Sequence, residues 1–210
     1  ECFAPSRQQF VSAKKRLEHI LLDNIIPFWF PGALDNVHGG YRVNHDLHGQ
    51  WEVPSIRHLV SQARTLWFFS HLFQSPWGNE SYLDAARHGF DFLRNVIWDP
   101  EHGGFYRTIQ AENPLAQDMA KDIYGQAFGL YALSEYVKAS KDPVALELAS
   151  HLFGLLEKHV HDSRYGGYYD LCTREWHLVP SKIRFSSGAA LTVKRMNTHL
   201  HLMEALTTYY

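Results

Sequence analysis

One short phrase recurs three times in this chain. It reads Asp35-Asn-Val-His-Gly39-Gly40-Tyr41, then Asp99-Pro-Glu-His-Gly103-Gly104-Phe105, then Asp162-Ser-Arg-Tyr-Gly166-Gly167-Tyr168. An aspartate, three residues, two glycines and an aromatic return with the aspartates 64 and then 63 residues apart. A fixed period of this length marks a repeat architecture, in which each unit buries its apolar surface against its neighbours. The two glycines supply positive φ or close backbone approach, and the aspartate can bond the backbone of its own turn.

Between the phrases the apolar spacing is helical. It predicts helices over 9–28, 56–73, 81–97, 118–139, 143–160 and 193–210. Asn79 reads as an N-cap, and Asp142-Pro143 as an N-cap followed by proline at the first helical position. Short β-like runs follow the glycines at 41–44, 105–108 and 168–171, with hairpin tips at 46–49 and 173–175. The unit is therefore helix, Asp-Gly-Gly turn, small hairpin, helix. Paired helices on a period near 60 residues predict an all-α toroid of the (α/α)6 type. About three helical hairpins of it fit in 210 residues, with short β-hairpins in the Asp-Gly-Gly loops. The chain opens Glu1-Cys2-Phe3 without a leader and stops inside an apolar-periodic helix, with no glycine or proline at its end. This predicts that residues 1–210 are the N-terminal half of one barrel domain.

Twenty basic against 22 acidic residues leave a charge of −2, which excludes a nucleic-acid or anionic-membrane partner of the basic-patch kind. No apolar run is long enough to cross a bilayer. The two cysteines, Cys2 and Cys172, make no disulfide framework and fit a reducing compartment such as the cytoplasm.

The densest polar cluster surrounds Asn197, His199, His201 and Glu204. On a helix, Asn197, His201 and Glu204 share one face, and His199 points roughly the other way. The face reads equally as a site in which His201 handles a proton or an oxyanion, and as a buried histidine satisfied by its neighbours. The spacing is not that of a zinc hydrolase. Arg64 stands in a strongly apolar helix, so it is paired in a structural ion pair or faces a polar cavity where it holds a substrate oxygen. Tyr124 begins another helix, and reads as packing or as a group in the same cavity.

These residues carry a resemblance. Ala63-Arg64-Thr-Leu-Trp67, Tyr124-Gly-Gln126-Ala-Phe128-Gly-Leu-Tyr131 with Glu135-Tyr136, and Met196-Asn197-Thr-His199-Leu-His201-Leu-Met-Glu204-Ala205 are similar to the N-acylglucosamine 2-epimerase superfamily, most of all to its cellobiose 2-epimerase branch. The resemblance implies an (α/α)6 barrel with a central site, no cofactor and no metal, and a mono- or disaccharide substrate. It implies inversion at C2 of a reducing-end aldose by ring opening and a cis-enediolate. Arg64 and His201 would bind and polarise the sugar oxygens, and Tyr124 and Asn197 would line the pocket. The family's proton-transferring histidines would lie beyond this chain, which would not turn over alone. The stretch 185–193 lacks the carboxylate often found there, which leaves the sugar open. Two rivals remain. A glycoside hydrolase or lyase on the same toroid needs two carboxylates ~6.5–9.5 Å apart, and no such pair stands out. A non-catalytic sugar-binding module of three repeats would show a capped last helix.

Overall fold

The computed structural model describes residues 6–52, 56–110, 116–179 and 194–210. The N-terminal helical pattern becomes one continuous path: α1 (Arg7–Ile20), a five-residue π segment (Leu21–Ile25) and α2 (Ile26–Trp29). Ser6 opens it with a reciprocal capping box to Gln9. No residue of α1 is buried, and Phe10, Val11 and Leu17 are exposed, so its apolar stripe faces away from the described core.

Five further helices follow: α3 (Leu59–Gln74), α4 (Glu80–Phe92, continued by a π segment Leu93–Ile97), α5 (Ile123–Ser140), α6 (Pro143–His159) and α7 (Met196–Tyr209). Helix α3 packs on α5 and α5 on α7, which makes an inner row. Helices α4 and α6 cover α3 and α5 from outside. These are hairpins of an α/α toroid. Helix α5 is central because it is apolar all round, and Ile123, Ala127, Leu130 and Leu133 are all fully buried. Gly129 lets the Phe105 ring approach to where a Cβ would stand 2.6 Å away. Asn79 caps α4 by accepting from the Ser81 amide, and Asp142 caps α6 by accepting from Val144.

Two helix starts differ from the sequence expectation. The helix expected from 56 begins at Leu59, because β3 (Ile56–His58) pairs antiparallel with β4 (Thr108–Gln110). The helix expected from 118 begins at Ile123. Here β5 (Ala116–Asp118) pairs with β4, and β6 (Lys121–Asp122) pairs with β7 (Leu171–Cys172). β3 and β6 each close one unit and pair with the hairpin of the next. That pairing satisfies backbone N–H groups which the first turn of a helix would leave open. The hairpin tip at 46–49 is observed between β1 (Asn44–His45) and β2 (Trp51–Glu52). Helix α7 starts at Met196; residue 193 and the stretch 185–193 lie outside the described residues, as does Cys2. Cys172 is buried, and burial pushes its thiol up to about 11.

Candidate active site

The three Asp-Gly-Gly turns are built alike, and they set the register of everything inside the ring. Asp35 Oδ1 accepts from the amides of Val37 and His38, Asp99 Oδ1 from Glu101 and His102, and Asp162 Oδ1 from Arg164 and Tyr165. All six glycines have positive φ, from 66 to 78°. The second carboxylate oxygen takes a cation from the segment just before the next inner helix: Arg57 on Asp35 (2.5 Å), Lys121 on Asp99 (3.0 Å) and Lys194 on Asp162 (2.6 Å). Burial pushes the Asp35 carboxyl up, but the His38 and Val37 amides and the Arg57 guanidinium outweigh it and set it at about 2. Asp99 and Asp162 are likewise held below the usual carboxylate range, Asp99 by Arg174 and Lys121 against its burial and Asp162 chiefly by Lys194.

A second tether comes five residues after each cation. The amide of the turn's aromatic donates to Gln62 Oε1 (Tyr41, 2.7 Å), to Gln126 Oε1 (Phe105, 2.9 Å) and to His199 Nε2 (Tyr168, 2.9 Å). Each glutamine also donates from Nε2 to the carbonyl of the same aromatic. His199, expected to face away from His201, is thus the third unit's counterpart of Gln62 and Gln126.

This register lines up the candidate residues. Two positions after the tether stand Arg64, Phe128 and His201; five after it stand Trp67, Tyr131 and Glu204; two before it stand Val60, Tyr124 and Asn197. The first two sets, with Ala63 and Phe68, line a cleft of about 410 Å³ on the inner helices. Tyr124 and Asn197 line an adjoining cleft of about 470 Å³ with His58, Arg107, Asp122 and Arg195. The Tyr124 ring meets the His201 ring edge-on at 5.1 Å and joins the two spaces.

Arg64 is exposed to the cleft, its guanidinium 5.5 Å from the Phe128 ring centre. Among the described residues it has no hydrogen bond or ion pair. His201 Nδ1 lies 2.8 Å from Glu204 Oε2. A carboxylate only accepts, so Nδ1 carries the proton and Nε2 is turned to other partners. Trp67 stacks on Tyr131 at 5.3 Å and forms the aromatic wall. Burial, then the charges of Glu204 and Glu135, push the Tyr131 hydroxyl up and keep it neutral. Asn197 is exposed and Tyr124 half-buried. Sequence reasoning missed the wall of Trp67, Phe128 and Tyr131. Their fixed distance from Gln62 and Gln126 was the available signal. No cluster of three or more metal-ligating side chains occurs among the described residues.

The sequence model of the N-acylglucosamine 2-epimerase family matches residues 39–210. The chain belongs to that family. Among N-acylglucosamine 2-epimerase relatives it is 36% identical to the cellobiose 2-epimerase of Ruminococcus albus over 190 residues, which are 90% of this chain and 47% of that protein. It is 34% identical to the cellobiose 2-epimerase of Bacteroides fragilis over 200 residues, 94% of this chain and 50% of the other. The solved cellobiose 2-epimerase of Spirochaeta thermophila superposes with a TM-score of 0.88 at 37% identity, over 96% of this chain and 49% of that one. The chain spans about half the length of the curated relatives it matches. No helix among the described residues is long and apolar enough to cross a membrane.

Proposed function

We propose that this chain forms one wall of a sugar 2-epimerase of the cellobiose 2-epimerase type, as the N-terminal half of a single (α/α)6 domain. The observation that carries the reading is Arg64, without a hydrogen-bond or ion-pair partner among the described residues, facing the His201–Glu204 pair across an aromatic-lined cleft. An arginine left without a carboxylate in such a cleft is suited to an oxygen that becomes negative during reaction.

In the proposed reaction the pyranose opens to expose the C1 aldehyde. A base takes the C2 proton, and its electron pair moves into a C1–C2 double bond with charge on O1. The cis-enediolate is then reprotonated at C2 from the opposite face. No net oxidation occurs, and the substrate and product differ only at C2. Arg64 donates to the oxygens where enediolate charge develops. His201 donates from Nδ1 to Glu204 and turns Nε2 toward the substrate. Such preorganised donors contribute on the order of 3 kcal/mol each. Asn197 and Tyr124 hydrogen-bond the sugar at the edge of the cleft, and Trp67 and Tyr131 offer flat faces for a pyranose ring. The groups that carry the C2 proton come from the second half of the ring, so the 210-residue chain is inactive by itself.

The test pairs this chain with the C-terminal half of the Ruminococcus albus relative and incubates both with cellobiose in D₂O. Deuterium at C2 and appearance of the C2 epimer are expected, with mannose as the alternative substrate. A folded, assembled pair that incorporates no label on either sugar overturns the reading.

A further inference from the structure

The third turn is tethered differently from the other two, and the difference is chemical. Gln62 and Gln126 each accept from one backbone amide and donate to the same residue's carbonyl. Amide side chains do not titrate, so these tethers are indifferent to pH. His199 Nε2 accepts from the Tyr168 amide at 2.9 Å, and His199 Nδ1 lies 2.8 Å from the Arg195 carbonyl oxygen. The carbonyl can only accept and the amide can only donate. The two partners therefore require the neutral imidazole with its proton on Nδ1. Gly167 is what allows the ring so close: a Cβ there would stand 2.5 Å from Nε2.

We propose that His199 is a proton-sensitive positioning residue, whose neutral form holds the start of α7 against the third turn and whose protonation releases that tether. It touches no part of the cleft; it acts through α7, which presents Asn197 and His201 to the two clefts. A proton on Nε2 faces the Tyr168 N–H donor to donor, and the bond is lost.

The surrounding charges, among the described residues, do not supply a substitute. Asp162 is engaged by Lys194, which also donates to the Gly166 carbonyl. From the start of α5, Asp122 faces Arg195, and Asp170 takes both Arg195 and Thr198. From α6, Glu157 accepts from the Tyr168 hydroxyl and faces His161, whose ring lies against that of Tyr168. The Lys194 and Asp170 contacts persist when His199 is charged, so release is local and α7 stays folded. The role in aligning the site rests on the epimerase reading; the tether itself does not.

Amide hydrogen exchange on the 210-residue chain tests this at one N–H, with two built-in controls. After division by the intrinsic exchange rate at each pH, protection of Tyr168 is expected to fall about tenfold between pH 8 and pH 5.5, the equivalent of one hydrogen bond. Protection of Tyr41 and Phe105, tethered by glutamine, stays level. In His199→Gln, Tyr168 joins the level pair, because the variant installs the side chain its sister units use. The amide shift of His201 follows the Tyr168 titration in the parent and not in the variant. Imidazole ¹⁵N shifts at pH 8 identify Nδ1 as the protonated nitrogen. A Tyr168 protection that tracks Tyr41 and Phe105 across the range, or a proton found on Nε2 at pH 8, overturns the proposal; neither measurement depends on turnover.

Discussion

Arg57 and Lys121 hold the same place in successive units, yet their removal should not cost the same. Arg57 is fully buried and donates Nη1 to the Tyr41 carbonyl and Nη2 to Asp35, both at 2.5 Å. With Arg57→Met, Asp35 keeps, among the described residues, Arg42 at 4.0 Å and the His38 ring at 3.3 Å. A buried carboxylate stripped of its main partner costs about 3–5 kcal/mol. Lys121 is equally buried, but Asp99 also receives Arg174 through Nε at 2.9 Å and Nη2 at 3.0 Å. Lys121→Met therefore leaves a paired carboxylate and costs about 1–2 kcal/mol. For a chain of this size one kcal/mol moves Tm by about 2–4 °C, so the expected drops are about 10 °C and about 4 °C. Thermal unfolding followed by far-UV circular dichroism reads both. Adding Asp35→Asn to Arg57→Met should restore about 2 kcal/mol, because the buried charge goes while Oδ1 still serves the turn amides. Equal losses for the two single variants, or a further loss in the double, would show that the carboxylate is not what the cation stabilises.

Glycine substitutions separate backbone strain from crowding. Gly40→Ala combines φ +66° with a Cβ 2.5 Å from the Phe92 ring and should cost about 3 kcal/mol, whereas Gly49→Ala has φ +78° with nothing within 4 Å and should cost about 1 kcal/mol by urea unfolding; similar costs at both sites would contradict the crowding at Gly40. Asp35 titrates at about 2 in the fold against an ordinary 3.8, so its contribution is complete above pH 4 and is lost as pH falls through 2. Asp99 and Asp162 act with the same sign, and urea midpoints should be level from pH 7 to pH 5, then fall steeply toward pH 2.5; a level midpoint down to pH 2.5 refutes the assignment. Arg64→Ala removes a cation–π contact with Phe128 but no hydrogen bond or ion pair among the described residues, so Tm should move by no more than about 2 °C while C2 label incorporation by the assembled pair drops about 100-fold. A variant that loses label and Tm together would make Arg64 a structural residue.

The repeat and the helical hairpins were legible because glycine pairs and 3.6-residue periodicity are local signals. Asn79 and Asp142 were legible as caps for the same reason. The starts of α3 and α5 were not. Residues 56–58 and 121–122 carry a helical pattern, and partners some 50 residues away draw them into strands. Arg64, Tyr124, Asn197 and His201 stand on the inner helices and line two adjoining clefts. The aromatic wall stayed hidden, since Trp67, Phe128 and Tyr131 look like core residues until the tether register separates cavity positions from packing positions. The apolar stripe of α1 is exposed, because periodicity says which residues share a face and not whether anything covers it.

The tether and the cavity group sit two residues apart on the same helix, and that adjacency divides labour within half a turn. Whatever anchors a unit to its neighbour is settled before the chain reaches the position that meets substrate. Arginine, phenylalanine and histidine can therefore occupy one structural address without disturbing the joint beside it. A unit is in this sense an interchangeable cassette. Moving the segment from one Asp-Gly-Gly turn through the following inner helix into another ring of this kind would carry both its own fastening and its own reagent, and new chemistry could be assembled by shuffling whole cassettes rather than by rebuilding a core.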